Sequence, residues 1–326
     1  MLMKTNILGL DIGGTKCAVI YGNIKKDEFE IIEKVRFETS DVKSTIDNLI
    51  NETAMIMNRY NLTPDNTGAI GISCGGPLDS KSGMVMSPPN LKDWNNIPIV
   101  EIISGKFKIP VAIQNDANAC ALAEWKYGVG KGVQNMVFMT YGTGLGGGLI
   151  LNGQLYTGAN DNAGELGHIR LADYGPVGYG KSGSFEGFCS GGGIAQLAWS
   201  MVYEKLQMGQ TVSWCQGSQY GSITARMVAD AALEGDELAL EIFRISSIFL
   251  GKGLSIVIDI LNPELIVLGG IYMRNEQLIK PLLIDIIRKE ALSHASRVCD
   301  IKPAALGESV GDYAALSVAA NLLELK

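Results

Sequence analysis

Histidine is nearly missing from this 326-residue chain, which has only two, and its six cysteines, at 17, 74, 120, 189, 215 and 299, include no C-x-x-C pair. That spacing excludes a zinc knuckle and a disulfide framework, and fits six reduced thiols in a cytoplasm. Positive charge is short as well: 27 Lys and Arg against 34 Asp and Glu leave a net charge of −7. A nucleic-acid backbone or an anionic membrane needs a basic footprint, so neither is expected as a partner. A signal peptide is not expected either, because Asp11 interrupts the first apolar run before an h-region forms. The stretch SSIFLGKGLSIVIDILNPELIVLGG resembles a membrane span until Lys252, Asp259, Pro263 and Glu264 are counted. Charge at mid-bilayer is costly, so the stretch reads as a buried helix followed by a buried strand.

Glycine is plentiful, with 40 residues, and apolar residues make up 47% of the chain. The length allows two domains at roughly 150 residues each. Strand-like runs include NILGLDI, CAVIYG, EIIEKVRFET, AIGISC, VAIQ, MVFMTY, GGLILN, QLYTG and LIVLGG. Helical patterns lie near 43–60, 117–127, 190–207, 222–234, 236–261, 276–292 and 309–324. Strands precede helices in blocks, the signature of an α/β chain with mixed sheets. One echo stands out: ILGLDIGGTKCAVIYG and MVFMTYGTGLGGGLILNG both run apolar strand, Gly/Thr-rich turn, apolar strand. The repeat implies two related halves, each offering a glycine turn to a shared cleft. Asn152-Gly153 then marks a tight two-residue hairpin.

Three glycine patterns compete for a phosphate. Gly142 to Gly147 spells G-x-G-x-x-G, but the residues after it alternate like a hairpin, whereas a dinucleotide site requires a helix there. Gly175 to Ser182 spells G-x-x-x-x-G-K-S, but no buried strand precedes it and no good helix start comes after it, so a surface loop is expected. The opening turn remains. Asp11, Gly13, Gly14 and Thr15, paired with Gly142, Thr143 and Gly144 of the other half, offer backbone N–H groups and hydroxyls to a polyphosphate. Asp11 suits Mg²⁺ held through water. Lys16 is either a phosphate neighbour or a solvated side chain.

LGLDIGGTK, GISCGGPLD, SPPNLKDW, IQNDANACALAEWKYG, YGTGLGGGLILNGQLYTGANDNAGELGH and PELIVLGG occur in that order. Together they resemble, nearly end to end, the ROK family of sugar kinases and repressors within the hexokinase–actin superfamily. The resemblance implies a two-domain actin/hexokinase-like (ribonuclease-H-like) α/β fold with a substrate cleft between domains. The division expected is 1–117 and 118–308, with a helix at about 309–326 packing back on the first domain. It implies ATP and Mg²⁺ as cofactors, a sugar as substrate, a cytoplasmic location and a homodimer. Asp116, between the strand VAIQN and the helix ANACALAEW, becomes the general base for a sugar hydroxyl; its alternative role is a helix N-cap. Gly76, Asn90, Asn115, Glu165, His168 and Glu186 become sugar-side residues, with structural alternatives for His168 and Glu186. Gly269 and Gly270 become the adenosine side.

One departure matters. Where many members carry C-x-C-G-x-x-G-C-x-E and bind zinc, this chain has VGYGKSGSFE. Val177, Tyr179 and Ser184 stand at the cysteine positions, so no zinc is expected. The loop is expected to be held by packing of Tyr179 and by glycine turns at 178, 180 and 183. The leading expectation is an ATP-dependent hexose kinase acting on glucose, an N-acylated hexosamine or a near relative. A repressor of this family carries a winged helix-turn-helix ahead of the first phosphate motif, and with that motif at Asp11 a repressor is not expected. A non-catalytic sugar-binding protein is the other rival.

Overall fold

The computed structural model describes residues 5–25, 28–216 and 222–324. In chain order it holds β1 (Asn6–Ile12), β2 (Lys16–Lys25), β3 (Glu28–Glu38), α1 (Val42–Arg59), β4 (Thr67–Cys74), β5 (Leu78–Asp79), β6 (Met84–Val85), α2 (Ile99–Phe107), β7 (Val111–Asn115) and α3 (Asp116–Tyr127). Next come β8 (Met136–Met139), β9 (Gly147–Leu151), β10 (Gln154–Tyr156), β11 (Val177–Gly178), β12 (Lys181–Ser182), α4 (Phe185–Cys189), α5 (Gly191–Gln207) and α6 (Ala225–Leu233). The chain closes with α7 (Glu237–Leu261), β13 (Leu265–Leu268), α8 (Ile271–Glu290), α9 (Ser293–Ser296), β14 (Asp300–Pro303) and α10 (Val310–Glu324).

Two compact units result. The first comprises the described residues up to Gln134, Gly148–Ala163 and those from Ala305 on; the second is Asn135–Gly147 with Gly164–Ala304. This differs from a division at residue 117. α3 packs on α10, and the buried Glu124 of α3 accepts a hydrogen bond from Leu306 N at 2.8 Å. Helix α3 therefore shares its burial with the C-terminal helix.

The sheet of the first unit runs β3-β2-β1-β4-β7. β1 pairs antiparallel with β2 and parallel with β4. Because side chains alternate along a strand, β1 serves two cores. Leu8, Leu10 and Ile12 belong to one with Leu49 and Ile56 of α1 and Ile103 of α2. Ile7 belongs to the other, with Ala315, Leu316 and Ala319 of α10. On that second face the helix lies very close. A Cβ at Gly71 would sit 2.1 Å from Ala315 O and 2.4 Å from Ala319 N, and one at Gly9 2.9 Å from Ala315 Cβ.

In the second unit β13 pairs parallel with both β8 and β14. The 25-residue α7 carries a buried stripe that includes Ile242, Phe243, Leu250, Leu254 and Val257. It ends at Asn262, in the left-handed conformation, and β13 follows fully buried. The apolar stretch is thus a buried helix and strand, and no helix among the described residues is long and apolar enough to cross a membrane.

The Gly71 contact meets helix backbone, which cannot move aside. Gly71→Val should cost about 3 kcal/mol in urea unfolding. Gly105, within α2, has open space at its Cβ position, so Gly105→Ala should gain about 0.5–1 kcal/mol. Equal effects would show that the close approach is not a constraint on the fold.

Candidate active site

The expected site residues gather into two groups, one in each unit. In the first, the turn after β1 closes through Gly13 N donating to Lys16 O at 3.1 Å. Thr39 Oγ1 donates to Gly13 O at 2.6 Å, fixing the turn from β3's end. Gly14 is exposed and touches Asn90: a Cβ there would lie 2.4 Å from Asn90 O. A Cβ at Gly76 would come within 3.0 Å of Asn115 Nδ2. Absent side chains therefore bring the turn after β1 to Asn90, and Gly76 to Asn115. Thr15 is exposed, and Lys16 is a solvated side chain 3.7 Å from Glu38, a pair of little energetic weight.

Asn115 ends β7 and caps α3, its Oδ1 accepting from Ala117 N at 2.9 Å. Asp116 is the first helical residue, and its Oδ1 accepts from the same N–H at 2.8 Å. The cap is thus Asn115, which leaves the Asp116 carboxylate oriented with a second oxygen outside that bond. Asp116 is open to solvent yet set deep among protein atoms, and loss of hydration raises its pKa against the pull of the backbone N–H groups of Ala117 and Asp116.

Strand parity explains Asp11. It shares the odd-numbered face of β1 with Ile7 and Gly9, the face that α10 covers. Its Oδ2 lies 3.6 Å from the Cβ position of Gly311, at the start of α10. Burial pushes Asp11 up to about 7, and the neighbouring Asp312 and Asp116 push the same way against Lys34 and Arg36. Asp312 is itself half-buried and ion-paired to Lys34. Sequence reasoning missed Asp312, Lys34 and Arg36, because an acidic residue opening a helix reads as a dipole partner and basic residues on an edge strand read as solvated. The chemistry around Asp11 fits a hard, hydrated cation such as Mg²⁺, because a carboxylate sits there in surplus negative charge beside Asp312 and Asp116. Such a cation keeps waters and takes its other ligands from phosphate.

In the second unit, Gly142 N donates to Gly144 O at 3.1 Å, and Gly146 N to Thr140 Oγ1 at 2.9 Å. Two helix starts meet this turn. Gly191 N and Gly192 N of α5 donate to Gly142 O and Thr143 O at 2.7 and 3.5 Å. Ile271 N of α8 donates to Tyr141 O at 2.6 Å, and Gly269 N to Met139 O at 3.0 Å. Gly270, at φ +54°, would drive a Cβ to 2.0 Å from Tyr141 O. The helix expected at 190–207 thus begins against this turn, and SGGG at 190–193 is the cap-and-glycine signal of that start.

Glu186 ties the group together. Its Oε2 accepts from Leu145 N at 2.9 Å. Its Cβ lies 2.7 Å from the Cβ position of Gly178, and Gly167 would clash with Leu145 O at 2.1 Å. Glu165 precedes and His168 ends a 3-10 turn, Leu166–His168, and both are exposed.

The G-x-x-x-x-G-K-S match is a small antiparallel hairpin, β11 with β12, and not a strand–loop–helix. Its Lys181 Nζ donates to His168 O at 2.7 Å. The expectation that Tyr179 packs to hold this loop is corrected, because Tyr179 is 72% exposed. Gln196 of α5 grips Val177 on both sides instead, accepting from its N at 2.9 Å and donating to its O at 2.8 Å. Ser182 Oγ donates to Gly175 O at 3.0 Å, and Arg170 donates to Ser182 O at 2.7 Å. Positive φ at Gly180 and Gly183 completes the turns, whereas Gly178 is needed for its closeness to Glu186.

A sequence model of the ROK family matches residues 7–321. The glucokinase of Halalkalibacterium halodurans is 30% identical over 310 residues, covering 93% of this chain and 92% of that one. The xylose repressor of Caldicellulosiruptor bescii is 29% identical over 81% of this chain and 65% of its own length. The solved structure of a ROK family glucokinase from Streptomyces griseus in complex with glucose and AMPPNP has a TM-score of 0.72 at 27% identity, covering 98% of this chain and 100% of that one. The mixed α/β architecture with two sheets is the actin/hexokinase-like fold of such kinases. A match that begins in the first strand and ends in the last helix, across both glycine turns, makes this chain a member of the ROK family.

Proposed function

We propose that this chain phosphorylates a hexose hydroxyl with ATP, and that Asp116 is the general base. The observation that carries the reading is the Asp116 carboxylate, held by one backbone N–H, raised in pKa, and sharing an electrostatic neighbourhood with Asp11. Similarity to glucokinases supports it. Phosphoryl transfer passes through a loose transition state, so the chain's task is to position the hydroxyl and spread charge. Asp116 takes the hydroxyl proton. Asn90, Asn115 and Gly76 of the first unit, and Glu165, His168 and Glu186 of the second, are the candidates for binding sugar hydroxyls, which need both donors and acceptors.

The backbone of Gly13 to Lys16 and of Gly142 to Gly144 cradles phosphate oxygens, and Gly269 and Gly270 leave a flat seat for the nucleoside. Asp11 would hold Mg²⁺ through water, which supplies neutralisation of phosphate charge when bound. A second reading, sugar binding without transfer, draws on the similarity to the xylose repressor. ATP consumption with D-glucose, N-acetyl-D-glucosamine and D-mannose separates the two: none above background would leave only binding.

Asp116→Asn should keep sugar affinity and the Ala117 contact while lowering kcat by about 10²–10⁴. A near-wild-type kcat, measured beside a calorimetric Kd, would remove Asp116 from the base role.

Asp11 also sets a pH dependence. Its carboxyl shifts from about 3.8 unfolded to about 7 folded, so between those values the folded state holds a proton that the unfolded chain has lost. Stability from this group therefore falls as pH rises from about 4 to 7. Without Mg²⁺ or nucleotide, Asp11→Asn should melt higher than wild type at pH 8 and near it at pH 4. A gain that is equal at both values would rule out the shift.

Zinc is not part of this reading. Val177 cannot ligate, Tyr179 and Ser184 are poor replacements, and Gln196 with Ser182 supplies the bonds that hold the loop. Protein purified without chelator should carry well under one zinc per chain, and EDTA should leave its melting temperature unchanged. Stoichiometric zinc by elemental analysis would overturn that assignment.

A further inference from the structure

The β11–β12 hairpin turns through Tyr179 at φ +44° and Gly180 at φ +75°, between the paired residues Gly178 and Lys181. Two consecutive positive φ values make a type I′ turn, whose favoured pair is Asn-Gly. The chain uses that pair in the β9–β10 hairpin, where Asn152 at φ +53° and Gly153 at φ +70° join Leu151 to Gln154. Tyrosine at the first position is disfavoured, since its Cβ crowds the backbone there. The fold gains little in return. The ring is 72% exposed, and the loop is anchored by Gln196, Ser182 and Arg170. Its one ring contact among the described residues is with the exposed His168, edge-on at 75° and 6.4 Å between centroids. A bulky ring held at a strained position and aimed beside a polar ligand candidate is the pattern of a functional residue.

We propose that Tyr179 is a sugar-contacting residue that helps set specificity: its ring face stacks on the C–H face of a pyranose whose hydroxyls His168 and Glu165 hold. This rests on the sugar-kinase reading and deepens it. An exposed aromatic offers an apolar face with few rotamers to freeze, and a pyranose presents apolar C–H bonds between its hydroxyls, so stacking adds to hydrogen bonding without competing with it. The stacking needs the ring and not the hydroxyl.

Two substitutions test it. Tyr179→Asn restores the favoured turn pair and removes the ring; Tyr179→Phe keeps the ring. Each is measured for thermal unfolding and for calorimetric binding of D-glucose, N-acetyl-D-glucosamine and D-mannose. Tyr179→Asn should melt higher than wild type and bind its best sugar about three- to tenfold more weakly, the range of one aromatic contact. Tyr179→Phe should bind within about twofold of wild type. A merely structural tyrosine could not move stability and affinity in opposite directions. Unchanged affinity in Tyr179→Asn, or a lower melting temperature, would overturn the stacking while the kinase reading stands. Wild-type protein that binds none of the three sugars would overturn both.

Discussion

The narrow gap between α10 and the first sheet governs the chemistry of the first unit. Gly9 and Gly71 carry no side chain where Ala315 and the backbone at Ala319 pass, so the helix settles on the strands at a distance no alanine would allow. That closeness sets where α10 begins. Its start, at Gly311 and Asp312, then falls beside the end of β1, where Asp11 sits on the same face. A buried carboxylate next to a second carboxylate is costly, and Lys34 and Arg36 offset only part of it. The result is a site in deficit of positive charge, which a hydrated cation with its phosphates would fill. Packing in the core thereby prepares the electrostatics at the edge.

The second unit reaches a comparable end by a different device. Here one side chain, Glu186, is the hub. Its carboxylate fixes the amide of Leu145 behind the glycine turn, and its methylenes fill the space beside Gly178. A carboxylate accepting a backbone N–H is well satisfied, and its second oxygen stays outside that bond. The same residue thus orders the glycine turn at 142–147 and the loop at Glu165 and His168. Glycines at 167 and 178 allow this only because no Cβ intervenes.

Much of this was legible from pattern. The two glycine turns, the buried identity of α7 and β13, and the strand-to-helix placement of Asp116 follow from periodicity and turn chemistry. The elements that escaped did so for physical reasons. α2, nine residues long, opens IVEII after Pro98, and that β-branched start reads as extended. α8 begins right after Gly270, but Asn275 leaves helical geometry and bonds back to Ile271 O, so the periodic signal starts late. The division at 117 missed that the small residues of α3 serve a helix nearly two hundred positions away. Sequence shows that alanines are buried but not against what. Asp312 was hidden for a like reason, since its meaning comes only from Asp11.

Tyr179 is the instructive error, because the residue was singled out and its role inverted. An aromatic at a position where the family resemblance leads one to expect a cysteine ligand invites the idea that bulk stands in for a metal. The hairpin shows a different arrangement. Polar side chains on neighbouring elements, Gln196 above all, hold the backbone, and a hydrogen-bonded amide can do that from outside the turn. Once the loop is secured from α5, the turn position no longer has to bind anything inward. A residue there is free to face solvent and whatever solvent brings. A clamp that lies outside the turn therefore does more than hold the loop, because it leaves the turn position itself without an inward task.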